Sequence, residues 1–350
     1  MGSVLAKNLV GYCGGVKEVF TKSKSFLKKA LGIGEHIASN ITGFRDFGRA
    51  EEEADFISIN NISYQFFLDK EYPFRLKNIP DCLIMIYKRG NADLSPERCI
   101  AIVGSRKVTE YGRSFISSFI EDLVPYSPTI ISGLAYGVDV CAHKQSLKNR
   151  MSTVGVLAHG LERIYPEVHT NVARDMVNSN GAILTEYLSG TKPNRENFPM
   201  RNRIVAGMVD AVIVVESAAK GGSLITAELA NQYNRDILAV PSDYGKKYSA
   251  GCNYLIKSHK AHLLENAEDL FKLLNWDLVS KKTNQKSLFI ELSENEQKVI
   301  DVFDKSKEVG VDTLISSCGL SRSELAVALL ELEMKNCIIS HPGKRYQSVL

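Results

Sequence analysis

Three arginines and one phenylalanine crowd into a single short stretch of this chain: Arg195, Phe198, Arg201 and Arg203, with Asn202 between the last two. Guanidinium groups fork onto phosphate oxygens, and a phenyl ring offers a flat face on which any base can stack. Lys192 stands just upstream, so either Lys192 or Arg195 could make the first phosphate contact. Taken alone, such a cluster is equally a solvated loop with Phe198 tucked into the core.

Glycine turns change that balance. Gly104-Ser105-Arg106, Ser132-Gly133 and Lys220-Gly221-Gly222-Ser223 each place exposed amides at or near the start of a helical pattern. Unpaired N–H groups and peptide dipoles favour an anion at such a place. Arg106 adds a full positive charge. The chain has no Gly-x-x-x-x-Gly-Lys-Ser/Thr, and its first turn is not Gly-x-Gly-x-x-Gly, so the anion need not be a nucleotide cofactor and none is expected. Several phosphate-friendly turns beside an Arg-Phe-Arg cluster point to a groove that follows a sugar-phosphate backbone.

Positioning these turns on one edge requires a sheet. Between Ile100 and Pro241, short β-branched runs (AIVGS, TIISG, TVGVLA, GAILTE, AVIVVE, DILAV) alternate with helical patterns such as Tyr111–Val124, Val138–Lys148 and Ser223–Tyr233. Repeated strand-helix units make the expected fold class α/β: a Rossmann-like, doubly wound, mostly parallel sheet. The strands' carboxyl ends then open onto a ligand crevice. The core is expected over residues 91–278. A small helical N-terminal domain is expected over 1–90, where Leu31-Gly-Ile-Gly34 resembles a helix-hairpin-helix turn, although a plain helix connection is the simpler reading. Residues 279–291, within which Ser280–Ser287 is polar and basic, read as a linker. Residues 292–350 read as three helices and two short strands around Pro342-Gly343, a winged-helix-like module. Its third helix carries Ser321 and Glu324 at capping-box spacing and Leu325, Leu329 and Leu332 on one face. Glu324, Glu331 and Glu333 against Arg322 and Lys335 repel phosphate, which favours protein contact or packing over base reading.

Composition bounds the rest. With 44% hydrophobic and 24% charged residues the chain can bury a sizeable core, and a net charge of +3 excludes a histone-like coat while leaving room for a local basic patch. Seven scattered cysteines without a Cys-x-x-Cys pair fit reduced thiols and a cytoplasmic location. No run is long enough to span a membrane, and the first residues lack the pattern of a signal peptide. His259-x-x-His262 supplies only two ligands, so no metal is expected. Asp139 and His143 could pose as an orienter and a base, but a helical histidine packed on a sheet reads as a satisfied core residue. Glu186, Glu216 and Glu228 are the candidate acids of a competing reading, a nucleotide-processing phosphoribohydrolase-like enzyme. That reading lacks its Pro-Gly-Gly-x-Gly-Thr signature, since the chain has Lys-Gly-Gly-Ser-Leu-Ile-Thr.

VGSR, SGLAYGVD with a following AH, FPMRNRIVAG, VVES, GGSLITAELA and GCNYLI occur in this order over residues 103–256. The series resembles the DprA/Smf family of DNA-processing proteins. The resemblance implies a core that binds single-stranded DNA without catalysis, self-associates as a homodimer, and helps load the recombinase RecA on DNA otherwise covered by single-strand-binding protein during transformation. It places the DNA contacts on Gly104, Ser105, Arg106, Arg195, Phe198, Arg201, Asn202 and Arg203, and near Gly222 and Ser223. The chain departs from the family pattern at Val138, at Ala158-His159-Gly160 and at Ser242; none of these removes a charge or the stacking ring.

Overall fold

The computed structural model describes residues 2–243, 245–246, 248–276, 292–303, 308–335, 337–341 and 344–348. They divide into two units, Met1–Leu278 and Val279–Leu350. The linker expected at 279–291 and the Pro342-Gly343 turn lie outside the described residues.

The first unit is built on nine strands: β1 (Ser63–Phe66), β2 (Met85–Gly90), β3 (Cys99–Val103), β4 (Thr129–Ser132), β5 (Thr153–Val156), β6 (Ala182–Thr185), β7 (Ala211–Val214), β8 (Asp236–Ala239) and β9 (His262–Leu263). Their order is β1-β2-β6-β5-β4-β3-β7-β8-β9. From β6 across to β9 every pairing is parallel. Every residue of β3 to β7 is buried, as strands covered on both faces must be. Alternation assigns the faces: Ala101, Val103, Val212 and Val214 pack with Ile204, Val205, Ala227 and Ala230 on one side. Ile100, Ile102, Ala211 and Ile213 pack with Ile116, Phe119, Ile120 and Val138 on the other. The chain steps outward from β3 through β6, then returns to the opposite side of β3 with β7. That reversal is a topological switch point, where α/β sheets of this kind open a crevice.

The expected helical N-terminal domain ends early. Of the five helices between Ser3 and Ile59, the first four enclose their own small core of Leu9, Cys13, Val19, Leu27, Ala30, Ile33 and Ala38, while Phe56 and Ile57 of the fifth pack with Ile62 and Tyr87. Ser63–Phe66 and Met85–Gly90, read as part of that domain, instead extend the sheet antiparallel, β2 pairing with β6 through Tyr87 and Thr185. The reason is packing: Leu83 and Ile86 are buried in the same core as Leu184. At Leu31-Gly-Ile-Gly34, Ile33 is buried and the following helix start holds Glu35, paired with Lys24 and Lys28, in keeping with a plain connection.

The second unit contains helices Glu294–Ile300, Val311–Cys318 and Arg322–Met334, followed by β11 (Ile338–His341) and β12 (Arg345–Ser348), with β10 (Val309–Gly310) completing a sheet ordered β10-β12-β11. Val299, Leu314, Leu325, Leu329, Leu332 and Ile338 form its core. This is a winged helix, and Ser321 and Glu324 make the expected capping box.

Candidate nucleic-acid interface

At the switch point the turn after β3 is clamped from two directions. Ser105 N–H donates to the Glu216 carbonyl beyond β7 (2.7 Å), and the Ser105 carbonyl accepts from Val138 N–H (3.1 Å). Gly137 makes the second contact possible: its φ is +78°, and a Cβ there would fall 2.2 Å from the Ser105 carbonyl oxygen. The Gly222–Gln232 helix starts beyond β7 with Gly221 as its cap and no side-chain bond to its first amides. Ser223 Oγ is turned aside to Ser217 Oγ (2.9 Å).

A cleft of about 600 Å³ lies between these turns. Gly104, Ser105, Arg106, Gly133, Arg195, Phe198, Arg201, Asn202, Gly222 and Ser223 all line it; Lys192 and Arg203 do not. Phe198 is half-buried in the first turn of the Asn197–Gly207 helix. The Arg106 guanidinium stands over its ring, 5.6 Å from the centroid. Arg106 and Arg195 are exposed, and among the described residues neither pairs with a carboxylate. Lys192 is exposed outside the lining, while its carbonyl accepts from Asn197 Nδ2 (3.3 Å).

The remaining arginines behave differently from the expectation of three phosphate forks. Arg201 is only 4% exposed, and its Nη1 donates to the carbonyls of Gly133 (2.5 Å) and Val156. A Cβ at position 133 would lie 2.5 Å from that guanidinium, so Gly133 serves to admit Arg201. Asp139 sits beside it, accepting from Gly133 N–H (3.2 Å) and Ala135 N–H (3.4 Å). Burial pushes the Asp139 carboxyl up and the Arg201 guanidinium down, and each is opposed by the other's charge. Arg203 must be corrected. Residues two apart on an α-helix are separated by about 200°, so Arg203 leaves the cleft altogether and is buried against Glu186 and the Asp81 carbonyl. Burial pushes the Glu186 carboxyl up, opposed by Arg203.

The candidate acids and histidines are likewise engaged. Glu216 turns its carboxylate to Thr109 N–H (2.9 Å) and Thr109 Oγ1, lining a neighbouring cavity and not the cleft. Glu228 pairs with Lys260 at the surface (2.9 Å). Thr153 Oγ1 donates to the Ile130 carbonyl (2.9 Å), so His143 Nδ1–H donates to Thr153 (2.7 Å). Among the described residues its buried Nε2 has no partner, and burial pushes the imidazole down to about 3. Asp139 is the only carboxylate among the described lining residues. His259 and His262 are exposed, and among the described residues no group of three or more His, Cys, Asp or Glu side chains could hold a metal. No helix among them is long and apolar enough to cross a membrane. The cleft also uses groups that no sequence signal singled out: Tyr165, whose ring lies 5.9 Å from Phe198, and Pro193, Ile225 and Val205.

A crevice of glycine turns, unpaired guanidinium groups and an aromatic ring at the switch point, in a chain that also carries a winged-helix unit, defines a Rossmann-like protein with a basic cleft. Residues 63–275 match the family of DNA recombination-mediator protein A, and residues 289–344 match the DprA winged helix domain. The chain belongs to the DprA/Smf family. It is 32% identical to protein Smf of Escherichia coli (strain K12), covering 78% of this chain and 74% of that protein. It is 38% identical to DNA processing protein DprA of Bacillus subtilis (strain 168), covering 59% and 69%. Among solved structures it resembles DNA processing protein A of Streptococcus pneumoniae, with a TM-score of 0.67 at 28% identity over 77% of this chain and 92% of that one. It also resembles DNA processing protein A from Helicobacter pylori, a structure concerned with that protein's single-stranded DNA binding mode, with a TM-score of 0.55 at 28% identity over 61% and 96%.

Proposed function

We propose that the switch-point cleft binds single-stranded DNA without cutting it. The observation that carries this reading is the exposed, unpaired Arg106 guanidinium over the half-buried Phe198 ring, in one cleft with the uncapped start of the Gly222–Gln232 helix. Arg106 and Arg195 take phosphates, and the amides of Gly222 and Ser223 supplement them. Phe198 stacks on a base; every base has a π-face, so the contact tolerates any sequence. A duplex keeps its bases paired and stacked, which withholds that face. Buried Arg201 acts from behind, fixing the ends of β4 and β5 through the Gly133 and Val156 carbonyls. The absence of catalysis is supported by the engagement of Glu186, Glu216 and Glu228 with neighbouring groups.

Family membership supports the wider role: self-association through the Rossmann-like core as a homodimer, and loading of RecA on strands covered by single-strand-binding protein during transformation. RecA filament growth on such covered strands, with and without the protein, tests that part.

The cleft itself is tested by fluorescence anisotropy of labelled oligo-dT and matched duplex across a salt series. Arg106→Ala is expected to weaken single-strand binding and to lower the logarithmic salt slope by about 0.7, one phosphate's worth. Phe198→Ala is expected to cost about 1–3 kcal/mol with the slope unchanged. Duplex-preferring binding indifferent to both substitutions would sink the assignment.

A further inference from the structure

Two more rings stand exposed at the edge of the cleft. Tyr165 is 47% exposed and lines it, with its ring 5.9 Å from that of Phe198 and tilted by 53° to it. Tyr136 is 50% exposed and follows Ala135, another lining residue. Its ring packs edge-on against His169 at 5.0 Å. His169 joins the two: its backbone N–H donates to the Pro166 carbonyl (3.0 Å), closing the turn that starts after Tyr165. Its Nδ1–H donates to the Leu134 carbonyl (2.8 Å), at the head of the loop that carries Tyr136. Both rings therefore ride on one braced ledge. Among the described residues neither phenol hydroxyl has a hydrogen-bond partner, so each ring is held by its ring contact alone and leaves its hydroxyl free.

The charges beside the ledge decide what it can touch. Glu167 is exposed in the same turn, and Arg163, the nearest cation in sequence, is already paired with Glu162 (2.9 Å). The ledge itself adds no free cation to those of Arg106 and Arg195 in the cleft. It suits the uncharged face of a base.

We propose that Tyr165 and Tyr136 are base-stacking positions that continue the track of the strand beyond Phe198. This inference rests on the single-strand reading of the cleft. Its test compares short oligo-dT, about four nucleotides, with long oligo-dT, about sixteen, the span of single-strand site sizes. The parent is expected to gain affinity with length. A Tyr136→Leu/Tyr165→Leu variant is expected to lose at least about fivefold on the long strand, a clearly smaller factor on the short one, and none of the salt slope. Tyr136→Phe/Tyr165→Phe is expected to bind as the parent does, because the ring face and not the hydroxyl makes the contact. Crosslinking of the unmodified protein to 4-thiothymidine in the long strand is expected to mark Tyr165 or Tyr136. Parent-like binding of the leucine variant, equal weakness of the phenylalanine variant, or a parent indifferent to length overturns the proposal. Failure of the cleft reading is separately visible: Arg106→Ala and Phe198→Ala would then lose nothing on the short strand.

Discussion

The Gly222–Gln232 helix of the core and the Arg322–Met334 helix of the winged-helix unit begin in opposite ways. The first has glycine at its cap, no side chain on its leading amides, and open space where a Cβ at Gly222 would lie. The second is sealed by its own residues. Ser321 Oγ accepts from Glu324 N–H (3.3 Å), and Glu324 Oε2 accepts from Ser321 N–H (2.9 Å). Its outer face presents Val327, Leu330 and Met334, all exposed, in place of cations. A helix start left bare beside unpaired arginines invites a ligand anion, whereas one closed by a capping box has spent its donors on stability. The contrast separates an anion-binding start from a structural one within one chain.

Three substitutions break or sharpen that contrast. The largest effect is expected from Arg203→Ala, which strands the buried Glu186 carboxylate and should cost about 3–5 kcal/mol in urea unfolding. The folded fraction should keep the parent's salt slope for DNA. A slope lowered by about 0.7 would instead make Arg203 a cleft cation. Gly222→Asp comes next. It places a carboxylate at the bare helix start, where it should leave the fold as stable or slightly more so while weakening single-strand binding by about 1–2 kcal/mol. Unchanged affinity would show that the amides do not meet the strand. The mirror experiment, Ser321→Ala, should lower the stability of the winged-helix unit by about 1 kcal/mol and leave oligo-dT affinity alone.

Much of this was legible in the residues, for physical reasons that also explain what was not. β3 to β8 are fully or mostly buried, so they read as unbroken β-branched runs. β1 runs from two exposed to two half-buried residues, β2 buries only Ile86 and Tyr87, and β9 is two residues long, so none of them forms such a run. The glycine turns announced the cleft because their backbone must approach a neighbour. Arg201 and Arg203 did not announce their separate fates, since a cluster read as a loop hides the helical rotation that sends them to different environments. Tyr136 lies inside the SGLAYGVD series and Tyr165 in no pattern at all. Only the placement of His169 joins them.

The switch point also governs when the site comes into being. β3 and β7 are neighbours in the sheet, yet β4, β5 and β6 are all made between them. A nascent chain that has reached β6 already carries the Arg106 loop and Gly133. It lacks the Glu216 carbonyl that clamps Ser105, the Arg201 side chain that ties β4 to β5, and the Gly222 amides. One side of β3 is then an open edge, ready to pair with whatever strand arrives first. The cleft forms and the edge closes with the arrival of the same strand, so a product cut short before β7 carries the motif, exposes the edge and has no cleft.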